Sequence, residues 1–232
     1  MRSFKQGLVF AVFFALLGGQ ALAAAAEGGG APRGPAARPG LFFEETWKQV
    51  AKGGENPILP AHMVNRHLEL KLYGPDSAKL AVTGVAVGEP GYDANPIHTW
   101  SGLCGAGCTF AFRDRNSYAD LTGAARVMVQ TKTSGFHKIH PFIKLADGST
   151  YIGDIELGQT SDFLFEEFRF DQVRWMAFDT ELAVTRGNLI DRVDLSKVDE
   201  IGFTDLQPGG GHGPGGWSDV AVIRVYGNAV PR

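Results

Sequence analysis

The chain has 232 residues, 22 Lys/Arg against 25 Asp/Glu, and a formal net charge of −3. That acidic balance, with no dense Lys/Arg run, excludes a nucleic-acid binder of the usual kind, which needs a basic stripe along the phosphates. The length suits one domain with a hydrophobic core and falls short of two comfortable ones.

The first 23 residues read as a secretory signal peptide. Arg2 and Lys5 form a basic start, Leu8 to Leu17 is an apolar core, and Ala21-Leu22-Ala23 offers a small-residue cleavage site. The apolar core is too short to span a bilayer, which takes about 20 residues, and no later segment supplies them. The expectation is an exported protein, periplasmic or extracellular, with no stable membrane insertion after cleavage. Cleavage would leave 20 basic against 25 acidic side chains, a net of −5. Residues 24–40 are Ala, Gly and Pro apart from Glu27, Arg33 and Arg38, with no large apolar side chain. They cannot bury enough surface to offset their ordering entropy, and are expected to be a disordered tether. Residues 41–232 are expected to form a single folded domain.

Within that domain the apolar period is two. Leu68, Leu70 and Leu72 alternate with polar residues over His67–Tyr73. The same pattern recurs at Thr109–Arg113 and Arg126–Gln130. Ile139–Leu145 alternates around Pro141, which suggests an edge strand or a bulge. Phe163–Phe170, Val173–Phe178, Val198–Thr204 and Val220–Tyr226 complete a set of about ten strands, separated by glycine turns. No window carries a long helical stripe. The pattern predicts an all-β sandwich or barrel. The stretch from Gly74 to Cys108 lacks clear periodicity and is expected to be a long loop. Within it, Cys104 and Cys108 flank Gly-Ala-Gly, and in an oxidising compartment they are expected to pair as a small structural disulfide.

Three segments carry a resemblance. Ser117-Tyr118-Ala119-Asp120-Leu121-Thr122-Gly123 precedes a strand. Val193 to Phe203 reads D-L-S-K-V-D-E-I-G-F after its first valine, and Val220 to Gly227 ends the domain as V-A-V-I-R-V-Y-G. In this order they resemble the galactose-binding-like jelly rolls, which include carbohydrate-binding modules and the complex I intermediate-associated family. The resemblance implies a jelly-roll β-sandwich and a carbohydrate partner. It also implies a candidate structural calcium ion between the first and last strands, with Glu44, Glu45 and Asp219 as the acids in compatible positions.

A sugar site needs aromatic faces and planar polar groups. Trp100, in the long loop, is either a ligand platform or a loop anchor. Trp175 is either a ligand aromatic or part of the core, since it and Arg174 must face opposite ways. If the strands at Arg126 and Ile139 are neighbours, Gln130, Lys132, His140 and Lys144 line one polar groove, with Phe142 between the last two. The alternative is an ordinary solvated sheet face. His137 and His140 are three apart and fall on opposite faces of a strand, which argues against a shared metal. No carboxylate pair stands out for hydrolysis and no G-x-S-x-G is present, so no catalytic residue is assigned. The leading expectation is a non-catalytic carbohydrate-binding domain. The alternatives are a polysaccharide-active hydrolase or lyase, and a structural or adaptor domain of an exported assembly.

Overall fold

The computed structural model describes residues 38–49, 55–158 and 160–232. The expected signal peptide and most of the expected tether lie outside the described residues. Among those described there are sixteen strands and three short 3-10 turns, with no α-helix. The strands are β1 (Leu41–Thr46), β2 (Asn56–Pro57), β3 (Leu68–Tyr73), β4 (Ala81–Thr83), β5 (His98–Trp100), β6 (Cys108–Asp114), β7 (Ser117–Asp120) and β8 (Arg126–Ser134). They continue with β9 (Ile139–Leu145), β10 (Thr150–Gly153), β11 (Leu164–Arg169), β12 (Trp175–Asp179), β13 (Val184–Ile190), β14 (Val198–Asp205), β15 (Trp217–Tyr226) and β16 (Asn228–Pro231).

All strand pairings are antiparallel, and they make two sheets. Sheet A runs β11-β8-β15-β5-β4-β2, with β1 also on β15. Sheet B runs β13-β12-β10-β9-β14-β6-β3, with β7 and β16 at its margin. The two-residue alternation read from the sequence is the reason they stack. Val127 and Val129 of β8 and Ile223 and Val225 of β15 point inward from sheet A. Phe110 and Phe112 of β6, Ile201 and Phe203 of β14, and Ile139 and Ile143 of β9 meet them from sheet B. Trp47 follows β1 and packs on Phe110 and Phe112 with ring centroids 5.6 and 5.4 Å apart. Each such ring, fully buried, contributes about 1.5–3 kcal/mol. The result is the expected all-β jelly-roll sandwich.

Three local readings need correction. Pro141 does not mark an edge, because β9 lies inside sheet B between β10 and β14. The odd residues of β9 turn their N–H groups toward β10, as Ile139 to the Leu157 carbonyl and Leu145 to the Ser149 carbonyl show. The pairing with β10 stops at Phe142 with Ile152, so the missing donor falls just past the end of that ladder. The long stretch after Gly74 is not all loop, since β4 and β5 pair there and join sheet A through β15. β13 was not anticipated. Its residues are all solvent-exposed, so it carries no buried face to create a period.

Candidate functional site

The outer face of sheet B is the side turned away from the sandwich core. Its middle is a row of in-register neighbours: Ala111, Gly202, Phe142 and Ile152 on β6, β14, β9 and β10. Ala111, Phe142 and Ile152 are buried there, packed with Phe178 and Ala183. A Cβ at Gly202 would meet the Phe110 carbonyl oxygen at 2.0 Å, so that position has no room for a side chain. Tyr73, at the end of β3, is partly buried and packs against this cluster at Phe142, with ring centroids 5.4 Å apart. Its hydroxyl donates to Glu200 Oε2 at 2.7 Å, and Lys144 Nζ donates to the same hydroxyl oxygen at 3.3 Å. Lys144 Nζ also lies 3.5 Å from Glu200 Oε1. Glu200 is buried, whereas Tyr73 and Lys144 are half-buried and reach solvent.

Burial, followed by the hydrogen bond and charge of Glu200, holds the Tyr73 phenol far above its ordinary value. Beyond Glu200 the same row continues through Arg113 and Glu69. Arg113 bonds Asp199 at 3.1 Å and lies 3.6 Å from Glu69. The hydrogen bond to Asp199 raises the Arg113 guanidinium, and the bond from Lys71 lowers the Glu69 carboxyl. The site therefore joins an aromatic ring, an acceptor and a cationic donor, backed by paired charges.

One end of this face is closed by the chain itself. The turn between β12 and β13 reaches the far edge of sheet B, where the Gly74 N–H donates to the Thr180 carbonyl at 2.8 Å. Ala183 in that turn has φ +52° and seats against Gly74 and Gly107. A Cβ at Gly74, where φ is +98°, would lie 2.6 Å from the Gly107 oxygen and 3.0 Å from Ala183 Cβ. Beneath the turn, Phe178 meets Phe142 edge-on at 5.8 Å. Together with Ala111, Ile152 and Ala183 they form a second small apolar cluster.

The residues singled out from the sequence are scattered over several places. His140 and Lys144 share the outer face of sheet B with Phe142 between them, as the alternation predicts. Gln130 and Lys132 are on β8, which belongs to sheet A. The expected four-residue groove is therefore corrected. The turn after β8 crosses from one sheet to the other, and the two pairs face away from each other across the sandwich. Trp175 is a core residue, 1% exposed, stacked on Phe170 at 6.4 Å. It is among the residues lining a 390 Å³ cleft that also includes Asp171, Asp191, Arg192 and Asp194. Trp100 is 2% exposed, packed over Gly102 and covered by the His212 ring at 4.7 Å. Cys104 and Cys108 form a disulfide.

The three acids proposed around calcium have separate surroundings. Glu44 pairs with Arg224. Glu45 is fully buried and accepts the N–H groups of Val64 and Asn65 at 2.6 and 3.1 Å. Burial raises its carboxyl to about 7 despite those bonds. Register puts Glu45 opposite Ile223, four residues along β15 from Asp219, or roughly 13 Å at the rise of a strand. Asp219 instead faces β5 and β8. The three do not converge on one position.

A buried polar hub joins the end of β14, the start of β15 and the segments after β5 and β8. Asp205 Oδ2 accepts from His137 Nδ1 at 2.7 Å, Ser101 Oγ at 2.9 Å and Ser218 Oγ at 2.6 Å. It holds a serine, a histidine and an aspartate, but both serines bond the carboxylate, and the histidine also bonds the Gly215 carbonyl. No hydroxyl is presented to the imidazole, so the hub lacks the contact a nucleophile needs. Against burial, the bond and charge of Asp205 raise His137 above its ordinary value.

Tyr73 and Glu200 were not singled out from the sequence. The signal for Tyr73 was there, since Leu68, Leu70 and Leu72 facing inward turn it outward. Glu200 sits directly before Ile201 in a strand, and an acid at a mid-strand position facing away from the core was the available clue.

No family model matches the chain, and no curated protein matches it. Among solved structures it is similar to the family 11 carbohydrate-binding module from Clostridium thermocellum in complex with a β-1,3-1,4-mixed-linked tetrasaccharide. Identity there is 13%, covering 79% of this chain and 96% of that one, with a TM-score of 0.43. It is also similar to TmCBM61 in complex with β-1,4-galactotriose, at 13% identity, 68% and 88% coverage and a TM-score of 0.37. An exo-β-agarase is similar at 9% identity over 72% of this chain and 24% of that one, with a TM-score of 0.39.

Proposed function

We propose that this chain is an exported, non-catalytic carbohydrate-binding domain whose site is the outer face of sheet B around Tyr73, Lys144 and Glu200. The observation that carries the reading is the Tyr73 arrangement. A partly open aromatic ring stands on the outer face of the sheet, beside a covered apolar cluster, with its hydroxyl tied to a carboxylate and an ammonium. An aromatic ring offers a surface to the C–H face of a pyranose, and the neighbouring donor and acceptor suit its hydroxyls. Export is inferred from the first 23 residues. Among the described residues no helix is long and apolar enough to cross a membrane.

The state of the tyrosine favours binding over elimination chemistry. A lyase base must give up its proton, and burial together with the bond to Glu200 holds the Tyr73 proton in place. A glycan array carrying neutral and uronate-containing oligosaccharides, probed with the chain lacking residues 1–23, tests the proposal. Retention of at least one glycan class without its cleavage is the expected result. Release of shortened or unsaturated products would overturn the non-catalytic reading.

A further inference from the structure

Away from that face, on the outer side of sheet A, two buried groups oppose each other with nothing between them. His98 on β5 and Asp219 on β15 have side chains only 4% and 3% exposed. His98 Nδ1 lies 2.6 Å from the Pro96 carbonyl oxygen. A carbonyl can only accept, so Nδ1 carries a hydrogen and donates it. In the neutral ring Nε2 is then a bare lone pair, and it faces Asp219 Oδ1 at 3.5 Å. Oδ1 has no hydrogen-bond partner among the described residues. Two acceptors turned toward each other in a buried place need a positive particle between them.

We infer that His98 and Asp219 form a buried site for one proton, carried on the carboxyl and shared with the imidazole, whose release is answered by Lys132. A metal ion fits the surroundings poorly. The other groups facing the pair are the Lys132 ammonium from β8, the Phe163 ring from the segment before β11, and the indole N–H of Trp217 on β15 itself. They are a cation, a ring and a donor, and none is a ligand. Thr83 of β4 is the cross-strand neighbour of His98 and is uncharged. The Asp205–His137 pair belongs to the opposite face of β15, where Ser218 points.

The position of Lys132 says which form the pair takes. Lys132 lies directly opposite Asp219 across β8 and β15. A carboxylate there would draw the ammonium to itself. Instead Lys132 Nζ sits over the Phe163 ring, 5.3 Å from its centroid, and the His98 ring packs against the same phenyl at 5.0 Å. The geometry is that of a neutral acid beside a neutral imidazole. Burial favours the neutral form of both groups, raising Asp219 to about 7 and lowering His98 to about 4.

Between those two values the folded pair holds one proton on Asp219. In the unfolded chain one proton is also held over most of that range, but on the histidine. The proton count therefore changes little on folding, and its address is what differs. As pH rises through about 7, the proton leaves to solvent and a buried carboxylate appears. Lys132 is the cation that faces it, so the ammonium leaves Phe163 and pairs with Asp219.

Infrared difference spectra of wild type against Asp219→Asn, with histidine NMR of the wild type, test this. The wild-type-minus-variant difference should contain the carbonyl stretch of one protonated carboxylic acid below about pH 7, lost as pH rises, while the band of protonated Glu45 is common to both proteins and cancels. His98 should be neutral, with hydrogen on Nδ1, well below the ordinary histidine midpoint. Lys132→Met should move the loss of the acid band to higher pH, because the ammonium favours the carboxylate. Asp219→Asn should fold, since its amide can donate to Nε2. A charged His98 at pH 6, no acid band in the wild-type-minus-Asp219→Asn difference, an unmoved midpoint of that band in Lys132→Met, or an unfolded Asp219→Asn would each overturn the inference.

Discussion

The Tyr73 hydroxyl donates to Glu200 at 2.7 Å across the intervening strand β6, so one bond ties the edge of sheet B to its centre. The acceptor is a buried carboxylate whose other contact is Lys144. Tyr73→Phe removes the donor and leaves that carboxylate short of a partner, which costs about 1–3 kcal/mol. Glu200→Gln should fall in the same range. The double variant should cost clearly less than the two singles added, because both act on one bond: Tyr73→Phe removes it, and Glu200→Gln, whose amide oxygen still accepts, takes away its charge. Urea unfolding of the four proteins measures this, and strict additivity would show that the residues act independently.

The closure of the site end depends on glycine. Gly74→Ala forces a side chain onto a backbone at φ +98° and against the Gly107 carbonyl. It should destabilise by more than the roughly 1 kcal/mol that separates Ala from Gly at an ordinary position. The damage should be local. Hydrogen exchange should speed up across β12 and β13 before the centre of sheet B, and uniform acceleration would contradict the docking described.

Reduction of Cys104–Cys108 should cost about 2 kcal/mol or less, since so short a loop restricts the unfolded chain little. Its effect should appear in the glycine-rich segment over Trp100, because Gly209 N–H donates to the Cys104 carbonyl at 2.6 Å and Gly211 N–H to Gly102 at 2.9 Å. Tryptophan emission with and without reductant reports this. A red shift is expected as the cover loosens, and an unchanged spectrum would show that the disulfide does not hold it.

Stability should decline as pH rises from acid to neutral. Glu45 is raised from 4.5 to about 7, so the stability it contributes is fully present below 4.5 and lost as pH rises through about 7. The size is on the order of 3 kcal/mol over that window. His137 is also raised, and its contribution is lost above its ordinary 6.5. Thermal unfolding from pH 5 to 8 measures the slope. Glu45→Gln should flatten it while keeping the fold, and a slope identical to wild type would place the titration elsewhere.

The sandwich was legible wherever one face of a strand was buried. Val127 and Val129, or Ile139 and Ile143, alternate with polar residues, and alternation survives in sequence. β13 has no buried face and β5 is three residues inside a loop-like stretch, so neither leaves a period to read. Site residues were legible by face and illegible by sheet. Lys144 and Lys132 were both correctly placed on outward positions, but strand order is set by long-range pairing that no local pattern records. Trp100 and Trp175 show the same limit. Their chemistry suits a sugar platform, and only tertiary packing reveals that His212 covers one and Phe170 the other.

That separation of the two lysines provides the most direct test of the proposed site. Lys144 stands beside Tyr73 on sheet B, and Lys132 lies on the outer face of sheet A. Calorimetric titration of an array-selected oligosaccharide into wild type, Lys144→Ala and Lys132→Ala separates the faces. Lys144→Ala should lower affinity about tenfold or more, corresponding to loss of a hydrogen bond from a charged donor, with Lys132→Ala within twofold of wild type. Equal binding by wild type and Lys144→Ala, or loss of binding in Lys132→Ala alone, would contradict the account.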